Sequence, residues 1–191
     1  MSGGDRGGHK TPAPPHAPTA RKYCHGSLGF CFWYPTSWRL LGEVFDGNGI
    51  VIAPEQKDDR ALWDVITVAM VAPSSESGGA TLEGVIERAT SAMRDAGQNF
   101  ETLQRQARTV AGSPAQLLKA RYRENKTERD WIEELVFIEG PQNEVYSVGL
   151  KCAPDHLAKL EPVLNRVLAT WKFEDELSQP ANNAPPPSPP H

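Results

Sequence analysis

The stretch YCHGSLGFCFWYPTSW, residues 23 to 38, concentrates rings at Tyr23, Phe30, Phe32, Trp33, Tyr34 and Trp38 in a chain that is only 8% aromatic. Phe30, Phe32 and Tyr34 alternate with Cys31 and Trp33. That is the period of two of an extended strand, and Pro35 ends it. Ahead of it, Gly26-Ser27-Leu28-Gly29 reads as a four-residue hairpin loop, which pairs His25 with Phe30 and sets Cys24 opposite Cys31. At a non-hydrogen-bonded pair of this kind the Cα atoms approach to about 4.5 Å, a separation that a disulfide accepts. The loop closed is short, so such a bond adds about 2 kcal/mol. Two readings stand: a Cys24–Cys31 disulfide, or three reduced thiols in a cytosolic protein. Cys152, in phase with Tyr146, Val148 and Leu150, is expected inside the core as a small apolar residue.

The strand signal recurs. GIVIAP and DVITVAMVAP are short, β-branched and stopped by Pro54 and Pro73. The second carries apolar residues on both faces (Val65 and Val71; Ile66, Val68 and Met70), so both faces of its sheet need cover. Leu82, Val85, Ile86, Ala89 and Met93 recur at helical spacing, and Gly97 is expected to close that helix in a left-handed conformation. In NFETLQRQARTV, Phe100, Leu103, Ala107 and Val110 would also suit a helix, but the stretch is assigned mostly as strand because the helix before it is already closed. Leu118, Ala120 and Tyr122 alternate with Lys119, Arg121 and Arg123, which predicts a strand with one wet face. DWIEELVFIEG and EVYSVGLKC continue it as an antiparallel meander. Leu157, Leu160, Leu164, Val167, Leu168 and Trp171 form a second helical stripe, with Asp155 as its start signal. Pro162 would cost about 3 kcal/mol inside a helix, so a break is expected there, with Pro162 in the first turn of the main helix. The elements add up to an α+β fold: a central antiparallel sheet of about six to seven strands sandwiched between helices.

The ends differ in composition. Residues 1–20 hold four glycines and four prolines, and the tail from Gln179 holds six prolines. Neither carries the apolar residues to offset its ordering entropy. The expected organisation is a disordered Gly/Pro-rich segment over 1–20, one folded domain over 21–177, and a disordered Pro-rich tail over 178–191.

Several phrases, in order, resemble the PsbP-like family: GFCFWYPTSW opening the domain, the PAQLLKARYR strand, the VYSVGLKC strand and the LEPVLNRVLATWKF ending. That family includes the photosystem II extrinsic protein, bacterial envelope proteins and, by fold, a Ran-binding transport factor. The resemblance implies an α-β-α sandwich, with Phe30, Phe32 and Tyr34 facing the core and Trp38 closing the sheet edge. It implies little about activity, because function resides in sites grafted onto a fold. The Gly/Pro-rich start does not match the extension through which the photosystem protein acts, so photosystem binding is not implied.

No catalytic residue is nominated. The sequence holds no phosphate loop, dinucleotide fingerprint, nucleophile elbow or HExxH. The histidines His9, His16, His25, His156 and His191 lie far apart, and no Cys/His spacing supports zinc, so no metal or cofactor is expected. His25 beside Cys24 reads as an exposed loop histidine, because strand neighbours point to opposite faces. One of Glu133 and Glu134 should face solvent. Core packing is the reading for Trp33 and Trp38, with stacking on a ligand as the alternative. A net charge of −4 argues against nucleic acid as partner, and no run is apolar enough to cross a bilayer. Met1 as the native start implies a cytoplasmic protein; Met1 in place of a removed leader implies an extracytoplasmic one. The function expected first is a monomeric, non-catalytic module that binds another protein or helps assemble one. A carrier of a small apolar ligand between sheet and helix comes second, and a hydrolase third.

Overall fold

The computed structural model describes residues 19–55, 64–72 and 81–174. The expectations for both terminal segments, and for Pro73, lie outside these residues. Ten strands and two helices follow in the order β1 (Ala20–His25), β2 (Phe30–Pro35), β3 (Trp38–Val44), β4 (Gly49–Pro54), β5 (Val65–Ala72), α1 (Leu82–Ala96), β6 (Gly97–Val110), β7 (Ser113–Glu124), β8 (Asp130–Glu139), β9 (Val145–Cys152), α2 (Leu157–Ala169) and β10 (Lys172–Phe173). The fold is α+β. A seven-stranded antiparallel sheet runs β3-β4-β5-β9-β8-β7-β6, and a separate three-stranded sheet runs β1-β2-β10. The large sheet is two meanders, β3-β4-β5 and β6-β7-β8-β9, joined where β5 lies against β9 with Val68 opposite Val148.

Period-two alternation sends side chains to two different cores. Ile50, Ile52, Ile66, Val68, Val136, Val148 and Leu150 face α2 and the small sheet, where they meet Phe30, Phe32, Leu160, Leu164, Val167 and Trp171. On the other face Leu118, Ala120, Tyr122, Trp131 and Phe137 meet Leu82, Val85, Ile86 and Met93 of α1. Helix α1 starts with Thr81, whose side chain accepts a hydrogen bond from the Gly84 N–H. It ends at Gly97, but in an extended rather than left-handed conformation. Glycine is required there for space: a Cβ would stand 2.5 Å from the Tyr122 ring and 2.7 Å from the Arg123 carbonyl oxygen.

Helix α2 departs from expectation in two respects. It runs unbroken through Pro162, and it has no side-chain cap, Asp155 lying instead in a 3-10 turn, Pro154–His156. Pro162 and Ala158, whose carbonyl the proline leaves without its helical donor, are both exposed. Water therefore has access to a group that would be orphaned in a core.

The wet face expected for β7 is wet only at its end. Lys119 shares a face with Leu117 and is covered by α2, its Nζ 2.8 Å from Glu134 Oε2 and 2.9 Å from Glu161 Oε1. Neither Glu133 nor Glu134 faces open solvent, because both faces of β8 are covered. Glu134 is 1% exposed. Glu133 is half-buried and accepts a hydrogen bond of 2.8 Å from the Tyr122 hydroxyl. Burial pushes its carboxyl above the usual range, opposed by that hydrogen bond and by Lys151.

Candidate functional site

Strands β1 and β2 pair in the register Lys22↔Trp33, Tyr23↔Phe32, Cys24↔Cys31 and His25↔Phe30. Directly opposed residues share a face, so the register sorts this hairpin into an inner and an outer set. The inner set is packed. The Phe30 ring stacks on Trp171 at 4.8 Å and meets Tyr146 edge-on at 5.9 Å, and the Tyr146 hydroxyl donates 2.9 Å to the Leu28 carbonyl. His25 belongs to this set. It is 6% exposed with its ring 5.5 Å from that of Phe30, which corrects its reading as an exposed loop residue: pairing with an inward phenylalanine turns it inward too. Trp38 is also buried, at the start of the edge strand β3, so its large ring is core and not an exposed stacking surface.

The outer set is different in kind. It holds Lys22, Cys24, Cys31, Trp33 and, from β10, Lys172 opposite Cys31. Trp33 is 42% exposed. Its backbone N–H donates 2.9 Å to Thr170 Oγ1, and Thr170 sits where β10, extended back by two residues, would meet Trp33. The same hydroxyl donates 2.8 Å to the Arg166 carbonyl, tying this strand to the end of α2. The indole is thus presented on backbone held from both sides. Cys24 is exposed and Cys31 is buried at 2%; their Cα atoms are 4.1 Å apart and their sulfurs joined. Glu174 closes the group, with Oε1 3.8 Å from Cys31 Sγ and its N–H donating 2.9 Å to the Gly29 carbonyl. Cys152 is fully buried in the core, where desolvation pushes its thiol up to about 12.

A second feature is a groove of about 310 Å³ between the edge of the large sheet and α2, lined by Trp38, Pro54, Leu160 and Val163 with Glu55 and Lys159 at its rim. Among the described residues, His156 and Asp64 also form a pair, Nδ1 to Oδ2 2.8 Å. Cys152 is sealed in the core and does not serve this pair as an accessible nucleophile.

No family model matches the sequence, and no curated protein matches it. Solved structures do. Cyanobacterial PsbP from Synechocystis sp. PCC 6803 superposes with a TM-score of 0.57 at 18% identity, covering 87% of this chain and 99% of that one. The chain has the PsbP-like fold. LpqN of Mycobacterium tuberculosis, a protein involved in cell envelope biogenesis, matches with a TM-score of 0.54 at 18% identity, over 83% of this chain and 87% of its own. A Pseudomonas aeruginosa protein of unknown function matches with a TM-score of 0.50 at 17% identity, over 80% of this chain and 96% of its own. At these identities the likeness concerns the PsbP-like fold alone.

Proposed function

We propose that this protein is a non-catalytic binding or assembly module that engages another protein through the outer face of the β1–β2–β10 sheet. One observation carries the reading: Trp33, an exposed indole on a strand whose backbone is fixed, with Lys22 directly across from it. Tryptophan held rigidly at a surface is the residue type that most often dominates a protein interface, because a large ring is buried on binding with little further loss of freedom. The lysine beside it favours a partner with acidic groups around an apolar recess. The involvement of LpqN in cell envelope biogenesis is in keeping with a role of this kind, and the Cys24–Cys31 disulfide as the resting form fits an extracytoplasmic setting.

Photo-crosslinking from position 33 in cells that make the protein tests this, with position 103 on the exposed strand β6 as the control. A discrete protein adduct from position 33 only, lost when Lys22→Glu is added, is the expected result. Crosslinking equal at both positions overturns it. The groove beside Trp38 supports the second reading, a carrier of a small apolar ligand. A lipid or metabolite that co-purifies with the protein, and is lost on Val163→Trp, would favour the carrier.

A further inference from the structure

Cys24, Cys31 and Glu174 come from three separate segments, and one ligand atom from each lies within 4.8 Å of the other two. The hairpin register brings the cysteines together, and β10 delivers Glu174 from 143 residues beyond Cys31. We propose that, when Cys24 and Cys31 are reduced, these three residues bind a thiophilic divalent cation, zinc by the character of the ligand set, with the fourth position open to solvent. The site lies on the same outer face as Trp33, but its test reads metal binding alone and does not require the protein-binding reading above.

The dimensions fit the ion. Tetrahedral zinc, with bonds of about 2.3 Å to sulfur and about 2.1 Å to carboxylate oxygen, has sulfur–oxygen edges of about 3.6 Å and sulfur–sulfur edges of about 3.8 Å. The Cys31 Sγ to Glu174 Oε1 separation is already 3.8 Å. Once the sulfur–sulfur bond is broken, rotation of the exposed Cys24 side chain sets the two remaining edges, from its sulfur to Cys31 and to Glu174. Glu174 is held to the hairpin by the bond from its backbone N–H to the Gly29 carbonyl, a contact that does not involve the disulfide.

The chemistry balances with an external dithiol as reductant. Its thiolate attacks the exposed Cys24 sulfur, Cys31 leaves as thiolate beside Lys172, and the second thiol of the reagent then closes its own disulfide and frees Cys24. Two electrons pass from the reagent to the protein, leaving two thiols. Metal binding then releases up to two protons as both become thiolate ligands, the thiolate being the form that binds. The disulfide form of the same reagent reverses the sequence, taking two electrons from the thiolates as it returns to dithiol, and the ion is ejected.

The test uses the full chain carrying Cys152→Ala, which removes the buried third thiol. The protein is reduced, freed of reductant without oxygen and titrated with Cd2+, a zinc surrogate with an ultraviolet thiolate-to-metal charge-transfer band. Near-ultraviolet circular dichroism confirms that the reduced protein stays folded. The expected result is one Cd2+ per chain, a band of two-thiolate intensity, displacement by Zn2+ and proton release. The oxidised protein should give no band, Cys24→Ser should lose the two-thiolate signal, and Glu174→Gln should weaken binding roughly tenfold or more. No band on reduction, an equal band in the oxidised chain, or unchanged affinity in Glu174→Gln would each overturn the three-ligand site.

Discussion

Helices α1 and α2 cover opposite faces of the same sheet, yet they form for different reasons. Helix α1 carries its signals locally: Thr81 caps it, Glu83 lies in its first turn and Arg94 in its last, and an apolar stripe lies along one side. It shields the flank of the sheet that ends in β6, a strand exposed along most of its length. Helix α2 has no side-chain cap and contains a proline. It rests on the larger core, however, with Leu164 and Val167 fully buried against the main sheet and the aromatic hairpin. Local capping is worth roughly 1 kcal/mol, whereas burying one leucine is worth about 2 kcal/mol or more. Packing therefore decides the conformation of α2 against its own sequence. Most helical stability in proteins arises in this way.

The largest effect should separate the two cores. Leu164→Ala removes a fully buried side chain from the centre of the α2 face and should cost about 4 kcal/mol, against about 3 kcal/mol for Ile86→Ala on α1. Urea denaturation of both variants measures the difference; equal small losses would mean that α2 is not docked as described.

The next effect lies beneath α2. Lys119→Ala leaves Glu134 buried without its cation and should cost about 3 kcal/mol, while replacing both with apolar residues should recover most of that. Burial works against the Lys119 charge, but the hydrogen bonds and charges of Glu134 and Glu161 outweigh it and hold the ammonium above its ordinary value of 10.5. A raised lysine stabilises the fold fully below that value and loses the contribution as pH climbs through the higher folded one. The stability gap between the native chain and the doubly apolar variant should accordingly move against the native chain in that alkaline range, read from denaturation midpoints against pH.

The smallest effects have opposite signs in the two helices. Thr81→Ala should destabilise the protein by about 1 kcal/mol through the lost cap. Pro162→Ala should stabilise it by up to about 1 kcal/mol, because alanine restores the donor to Ala158, a gain only partly offset by the freedom released to the unfolded chain. Thermal unfolding of the pair checks both signs, and a destabilising Pro162→Ala would show that the proline is preorganising α2.

Much of the fold is written in local periodicity. Phe30, Phe32 and Tyr34 face inward as their alternation requires, β6 is a strand, β7-β8-β9 is a meander, and the stripes of both helices are buried. These follow from side-chain directions set by the backbone within a few residues. The errors share a different cause. Gly97, His25, Lys119 and the Glu133–Glu134 pair were legible only as residue types, and their roles depend on what another part of the chain places against them. The same holds for the candidate site: Trp33 is exposed because no described residue covers it on the outer face of the small sheet, which alternation alone does not state.

The sequence by itself determined most of the strands, the apolar stripes of both helices, the phase of β2 and the facing of Cys24 and Cys31 across a hairpin, because each depends on short-range geometry and on turn residues such as Gly29. Only the tertiary structure decided that β5 joins β9, that the opening hairpin leaves the main sheet to pair with β10, and that Glu174 arrives beside the two sulfurs. Those are contacts between segments distant in the chain, selected by how whole apolar faces fit together, and no short window of sequence contains them.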